Sequence, residues 1–104
     1  MDDLAFLAIE NLEEHNVRGE ARWTGTVSSS GGSEVNILIL RVGAGLLAVR
    51  NRCPHRDISL LRGRLDPGAG TLECPSHGWE LSLDGSELRG RQVTVQDGRF
   101  FMAR

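Results

Sequence analysis

The stretch "CPHRDISLLRGRLDPGAGTLECPSHGW", Cys53 to Trp79, holds both cysteines of the chain and two of its three histidines. They fall into matched pairs, Cys53-Pro54-His55 and Cys74-Pro75-Ser76-His77, with 18 residues between His55 and Cys74. Three readings compete for this pattern. Cysteines are often small buried hydrophobes and histidines surface residues, but that leaves the pairing, each time across a proline in a Gly-rich turn, to coincidence. A Cys53–Cys74 disulfide is rare in a reducing compartment and leaves the histidines without a role. A metal site uses all four residues, because thiolates and imidazoles are the ligands that zinc and iron–sulfur clusters accept.

Zinc held by two Cys and two His is chemically reasonable, although zinc fingers keep their cysteines together and their histidines together. Here each segment supplies one of each. A two-iron cluster has a direct use for that arrangement, since its two irons can be ligated differently. Cys53 and Cys74 would hold one iron and His55 and His77 the other, the substitution of two histidines for two cysteines that defines a Rieske centre.

The rest of the chain narrows the setting. A length of 104 residues predicts one domain, 1–104. Hydrophobic residues are 39%, charged residues 25% and the net charge is −2, which argues against disorder and against a protein that binds nucleic acid by neutralising phosphates. No apolar run approaches the roughly 18 residues of a membrane span. The start, "MDDLAFLAIENLEE", is acidic where a secretory signal is basic, so the expected compartment is the cytoplasm.

Hydrophobic patterning predicts strands and turns. "LAFLAI" (Leu4–Ile9) reads as a short strand, and "ENLEEHNV" as one helical turn capped by Asn11, with His15 in a surface turn and without a role. "EARWTGTV", ending at Val27, alternates as a half-buried strand does, and Ser28–Glu34 is a loop by composition. Val35–Val42 and Leu46–Asn51 flank Gly43-Ala44-Gly45 as a hairpin. "WELSL" and "SEL" around Asp84-Gly85 predict a second hairpin, and "QVTVQ" and "RFFMAR" around Asp97-Gly98 a third. The fold class is therefore all-β and antiparallel, with the Cys/His segment as an insertion.

Cys-Pro-His at 53–55 and Cys-Pro-Ser-His-Gly-Trp at 74–79, followed by Asp84-Gly85, resemble the Rieske [2Fe–2S] domain family. The resemblance is specific from Asn51 to about Gly90 and looser over the flanking strands. It implies the Rieske fold: an antiparallel β-sandwich base, about 1–50 and 91–104, carrying a two-loop cluster-binding part, about 51–90. It also implies Cys53, His55, Cys74 and His77 as the cofactor and metal ligands, with the two histidines on the outer iron. Glycines 63, 68, 70 and 78 would let the loops turn tightly or approach the sulfurs.

Respiratory members of this family carry an extra cysteine in each loop, forming a disulfide, and a Ser and a Tyr that hydrogen-bond to the cluster. Ile58, Ser76, Trp79 and Leu81 stand at those places here. Fewer donors predict a potential at the low end of the Rieske range, about −150 mV. The spacing between the pairs is longer than the family's, with the excess in "LDPGAG", expected as an exposed turn. "GSELRGRQ" has no proline where a Pro-rich loop usually covers the cluster, which leaves the cluster either less shielded or covered by Arg89–Arg91 instead. Trp79 is expected half-buried against the base.

The resemblance extends to soluble Rieske-type ferredoxins. It implies a single-electron carrier, monomeric when free, between a flavin-dependent ferredoxin reductase and a terminal oxygenase that hydroxylates aromatic rings. No catalytic residue, nucleic acid or membrane is expected. The alternatives are a Rieske-like small subunit of a larger redox enzyme, such as assimilatory nitrite reductase, and a zinc-stabilised binding module without redox function.

Overall fold

Ile37, Leu38, Ile39 and Leu40 are consecutive, lie in mid-strand and are all buried, and a run of this kind needs cover on both faces of its sheet. The computed structural model, which describes residues 6–28, 32–53, 58–76 and 78–103, supplies that cover in two different ways. The main sheet has seven antiparallel strands: β1 (Phe6–Ala8), β2 (Glu10–Val17), β3 (Glu20–Ser28), β4 (Glu34–Val42), β5 (Gly45–Arg50), β9 (Arg91–Gln96) and β10 (Arg99–Ala103). Their order is β1-β10-β9-β5-β4-β3-β2.

Strand β1 passes into β2 through Ile9 alone. The Ile9 amide donates to the Phe100 carbonyl at 3.0 Å, while Glu10 already pairs with Thr26 of β3. One bent stretch therefore joins both ends of the sheet and closes it into a barrel-like base, which leaves few open edges. Gly25 sits where the bend crosses β3; a Cβ there would meet Ile9 Cγ2 at 2.7 Å. Val27, Ile37, Ile39, Ala48 and Val93 fill the interior, joined by the tilted ring pair Trp23 and Phe100, with centroids 5.4 Å apart.

The opposite face of β4 and β5, carrying Leu38, Leu40 and Val49, is covered by the chain between Arg50 and Arg91. This segment forms a second sheet of β6 (Arg64–Asp66), β7 (Thr71–Glu73) and β8 (Glu80–Ser82), in that order. Leu60, Leu72, Leu81, Leu83 and Leu88 pack from it onto the base. Three strands of 3 residues each cannot bury enough to stand alone.

Two expected hairpins are present. Gly43 has φ 61 in the two-residue β4–β5 turn, and Asp97 and Gly98 have φ 52 and 76 in the β9–β10 turn, the positive angles such tight turns need. The "LDPGAG" stretch is the β6–β7 turn, exposed from Pro67 to Ala69.

Other expectations need correcting. "ENLEEHNV" is strand β2, not a helical turn. Eight residues are too few for an isolated helix, and β3 pairs with them from Val17↔Glu20 to Glu10↔Thr26. Asn11 is not an N-cap; it has φ 56, sits at the register shift between Glu10 and Glu13, and donates through Nδ2 to Thr26 Oγ1 at 2.9 Å. His15 is accordingly in a strand, its Nε2 at 2.9 Å from Thr24 Oγ1.

The hairpin around Asp84-Gly85 is also absent. After β8 the chain makes one helix-like turn, with the Arg89 amide donating to the Gly85 carbonyl at 2.8 Å. Leu88 is the reason. Its side chain is fully buried in the insertion's core, and its carbonyl accepts from the Arg50 amide at 3.1 Å, so "SEL" cannot extend beside β8. Of the expected loop 28–34, residues 29–31 lie outside the described residues, while Ser28 and Glu34 belong to strands.

Candidate metal centre

Cys53 and Cys74 are each 1% exposed, neither forms a disulfide, and both belong to the apolar cluster of Leu60 and Leu72. The structure thus gathers the two thiols of the predicted site into one core. His55, with Pro54, Arg56 and Asp57, and also His77, lie outside the described residues. Among the described residues no third Cys, His, Asp or Glu joins the thiols as a metal-binding group.

The two loops begin alike. The Cys53 amide donates to the Ile58 carbonyl at 3.0 Å, and the Cys74 amide to the Trp79 carbonyl at 2.7 Å. In both cases a cysteine N–H closes on the carbonyl five residues later, as the last rung of a hairpin does, so each thiol stands at the root of a loop of equal span. Within the second loop the Gly78 amide donates to the Cys74 carbonyl at 3.0 Å, and Gly78 has φ 72, a backbone region that favours glycine.

Three further contacts bring the loops together. Asn51 Oδ1 accepts from the Leu60 amide and from Ser59 Oγ, both at 2.9 Å, which ties the far end of the first loop to a residue two positions before Cys53. Gly63 lies against the strand that delivers Cys74. A Cβ at Gly63 would collide with the Glu73 carbonyl oxygen and stand 3.2 Å from Leu72 Cδ1, so only glycine permits this approach.

The third contact comes from the base. Arg22 of β3 is 2% exposed, and its Nη1 donates to the carbonyls of Leu61 at 2.6 Å and Gly63 at 2.7 Å. Arg18 adds a bond to the Arg62 carbonyl at 2.9 Å. Burial pushes the Arg22 guanidinium below its ordinary pKa; Glu20, 3.4 Å away, opposes the shift and Arg18 adds to it. Arg22 Nε is buried without a hydrogen-bond partner among the described residues. A desolvated cation of this kind is held in place by the carbonyls it satisfies.

Arg22 and Asn51 had no role in the sequence reading. A signal for Arg22 exists: Trp23 pairs with Ile39, so Arg22 shares a face with Leu40, the face the insertion covers. One expectation about the surroundings changes. Trp79 is 51% exposed and belongs to neither apolar cluster of the described residues, so it extends the outer face of the second loop. Arg89 and Arg91 line a cleft of the base together with Leu7, Val35 and Met102.

Several known proteins are similar to this chain. The oxygenase subunit of 3-chlorobenzoate-3,4-dioxygenase from Comamonas testosteroni is 40% identical over 82 residues, covering 69% of this chain and 18% of that protein. Methylxanthine N3-demethylase NdmB from Pseudomonas putida is 36% identical over 52 residues, 48% of this chain and 15% of that protein. The ferredoxin component of the alkene monooxygenase system of Xanthobacter autotrophicus is 29% identical over 85 residues, covering 74% of this chain and 69% of its own length. The chain thus spans only a small part of the first two relatives and about two thirds of the third. No solved structure gives a significant match. The family model of the Rieske [2Fe-2S] domain matches residues 12–96, both thiol loops included, and the antiparallel all-β fold accords with it. The chain belongs to the Rieske [2Fe-2S] domain family, which implies a Rieske-type [2Fe–2S] cluster as its cofactor.

Proposed function

We propose that this chain is a single-electron carrier of a multicomponent oxygenase system, accepting electrons from a flavin-dependent ferredoxin reductase and delivering them to a terminal oxygenase, with ring hydroxylation as the reaction class served. The observation that carries the reading is the pair of buried, unbridged thiols at the roots of two loops of equal span. Cys53 and Cys74 would hold the inner iron, and His55 and His77 the outer one. This donor set fits a Rieske cluster, with sulfur on one iron and nitrogen on the other. When bound, the cluster supplies reversible one-electron transfer.

The protein's own residues would do the rest. Burial of Cys53 and Cys74 keeps water from the sulfur side, while Pro75, Ser76 and Trp79 present an exposed face to a partner. Redox encounters of this kind are small and transient. The chain would work in the cytoplasm as a single domain, monomeric when free. Trp79 and Leu81 stand where the donating Ser and Tyr of respiratory members would be, and Ile58 and Ser76 where their extra cysteines would be, so the midpoint is expected at about −150 mV.

A second reading has its own support. The 40% identity to a dioxygenase oxygenase subunit favours a Rieske domain that serves an oxygenase from within the same assembly. The similarity to a ferredoxin component, which spans 69% of that protein, favours the diffusing carrier.

The test is anaerobic reconstitution with iron and sulfide. The expected product is reddish-brown, holds two irons and two sulfides per chain, and gives a rhombic EPR signal on reduction. A colourless, EPR-silent zinc protein would refute the carrier. Size-exclusion of the native material then separates the two oxygenase readings, a monomer supporting the diffusing carrier and a large stable complex the second.

A further inference from the structure

We propose that the mouth of the β-barrel base is a docking seat for an acidic segment of a partner protein that inserts one apolar side chain between carboxylates. The closing of the sheet leaves an open cleft of about 270 Å³ at the end where β3 stops, β4 starts, β5 stops and β9 starts. Val27, Val35, Ile37, Leu88 and Met102 make its floor and walls, so the lining is mostly apolar. Barrel mouths are among the places where proteins bind ligands.

Arg50, Arg89 and Arg91 also line it, and among the described residues no acidic one does. Among the described residues none of the three is in an ion pair; the one salt bridge is Arg22–Glu20. Glu34 lines the neighbouring cleft with Arg50 without forming a pair. An arginine carries its fixed positive charge at the end of a long apolar stem. Three of them around an apolar hollow match a carboxylate-flanked aliphatic or aromatic side chain, because guanidinium forks bind carboxylates in two-point fashion.

Arg89 provides a second, independent indication. It has φ 50, a conformation that disfavours a non-glycine residue. It is fixed there by the hydrogen bonds that its own amide donates to the Gly85 carbonyl and the Gly90 amide donates to the Leu83 carbonyl, both 2.8 Å. Such strain, held by the surrounding backbone, is a pointer toward function.

Position suggests the partner. Both connections between base and insertion cross this rim, one through Arg50 on the way to Cys53 and one through Leu88, which lines the cleft and packs in the same core as Cys53 and Cys74. A protein seated on the mouth therefore lies beside the unit that carries the thiols. The seat rests on the carrier reading for the identity of that partner, a redox protein, but not for the binding itself.

The test uses the reconstituted full chain and a blocked synthetic peptide, Glu-Glu-Leu-Glu-Glu, followed by NMR. Saturable shifts are expected at the amides of Arg50, Arg89, Gly90 and Arg91, weakening with added salt. The double variant Arg89→Glu, Arg91→Glu should bind about tenfold more weakly while keeping the visible spectrum of the wild type. Replacing the peptide's leucine by glycine should weaken binding, and a Lys-Lys-Leu-Lys-Lys peptide should not shift these amides. The seat is overturned by unchanged binding in the double variant, by shifts that map elsewhere, or by benzoate or octanoate saturating these amides when the peptide does not. Since the peptide accepts no electron, peptide failure with normal reduction by a flavin reductase would remove the seat alone and leave the carrier intact.

Discussion

The base and the insertion are built on opposite plans. The base closes a seven-stranded sheet through the bend at Ile9 and fills it with side chains from nearly every strand. The insertion has three strands of 3 residues, and its core merges with the outer face of β4 and β5. One part generates its own stability by ladder and burial; the other borrows it, through Leu38, Leu40 and Val49 on one side and the Arg22 and Arg18 clamps on the other. The difference places the thiols in the part least able to fold alone. Binding of metal by such a part adds directly to its stability.

If this contrast holds, damage in the insertion should stay there. The largest effect is expected from Cys74→Ser, which should abolish the visible absorption and the EPR signal while the far-ultraviolet circular dichroism of the base persists. Complete unfolding of the variant would contradict the separation. Next is Arg22→Met, which leaves the Leu61 carbonyl without its side-chain donor and the Gly63 carbonyl with only the longer bond from Arg18 Nη1 at 3.4 Å. The expected loss is about 3 kcal/mol, concentrated in the insertion. Native-state hydrogen exchange should show the amides of Leu72 and Leu81 accelerated well beyond those of Leu38 and Ile39.

Gly63→Ala should cost about 2 kcal/mol by forcing the first loop away from the Glu73 carbonyl, read as a lower denaturant midpoint and a shifted EPR line shape. Gly70→Ala is the control. Gly70 has φ 70 but open space around it, so the cost should be about 1 kcal/mol with an unchanged EPR spectrum. Equal spectral effects from the two alanines would show that the loop contact at Gly63 does not shape the site.

What was legible in the sequence follows the range of the interactions. The Asp97-Gly98 turn and the Gly43-Ala44 turn announce themselves because two adjacent residues set the geometry. The thiol pair is legible for the same reason, each loop being short and opened by a Cys-Pro step. "ENLEEHNV" has helix-favouring glutamates locally, and its strand state comes from β3, which the local pattern does not contain. Asp84-Gly85 carries a hairpin signal that the burial of Leu88 overrides. Arg22 is the extreme case: its partners Leu61 and Gly63 lie 39 and 41 positions away, so a single alternating strand reveals nothing of the clamp.

The β6–β7 turn has a consequence for how the chain tolerates change. Pro67, Gly68 and Ala69 point into water between two strands already in register from Arg64↔Glu73 to Asp66↔Thr71. A peptide tag or a spin label spliced in at this tip would lengthen the spacer between the two thiols without altering where either sits, whereas one residue spliced between Cys74 and Trp79 would break the rung that seats the second. The tip is therefore a natural port for a reporter, close in sequence to the redox unit yet mechanically uncoupled from it.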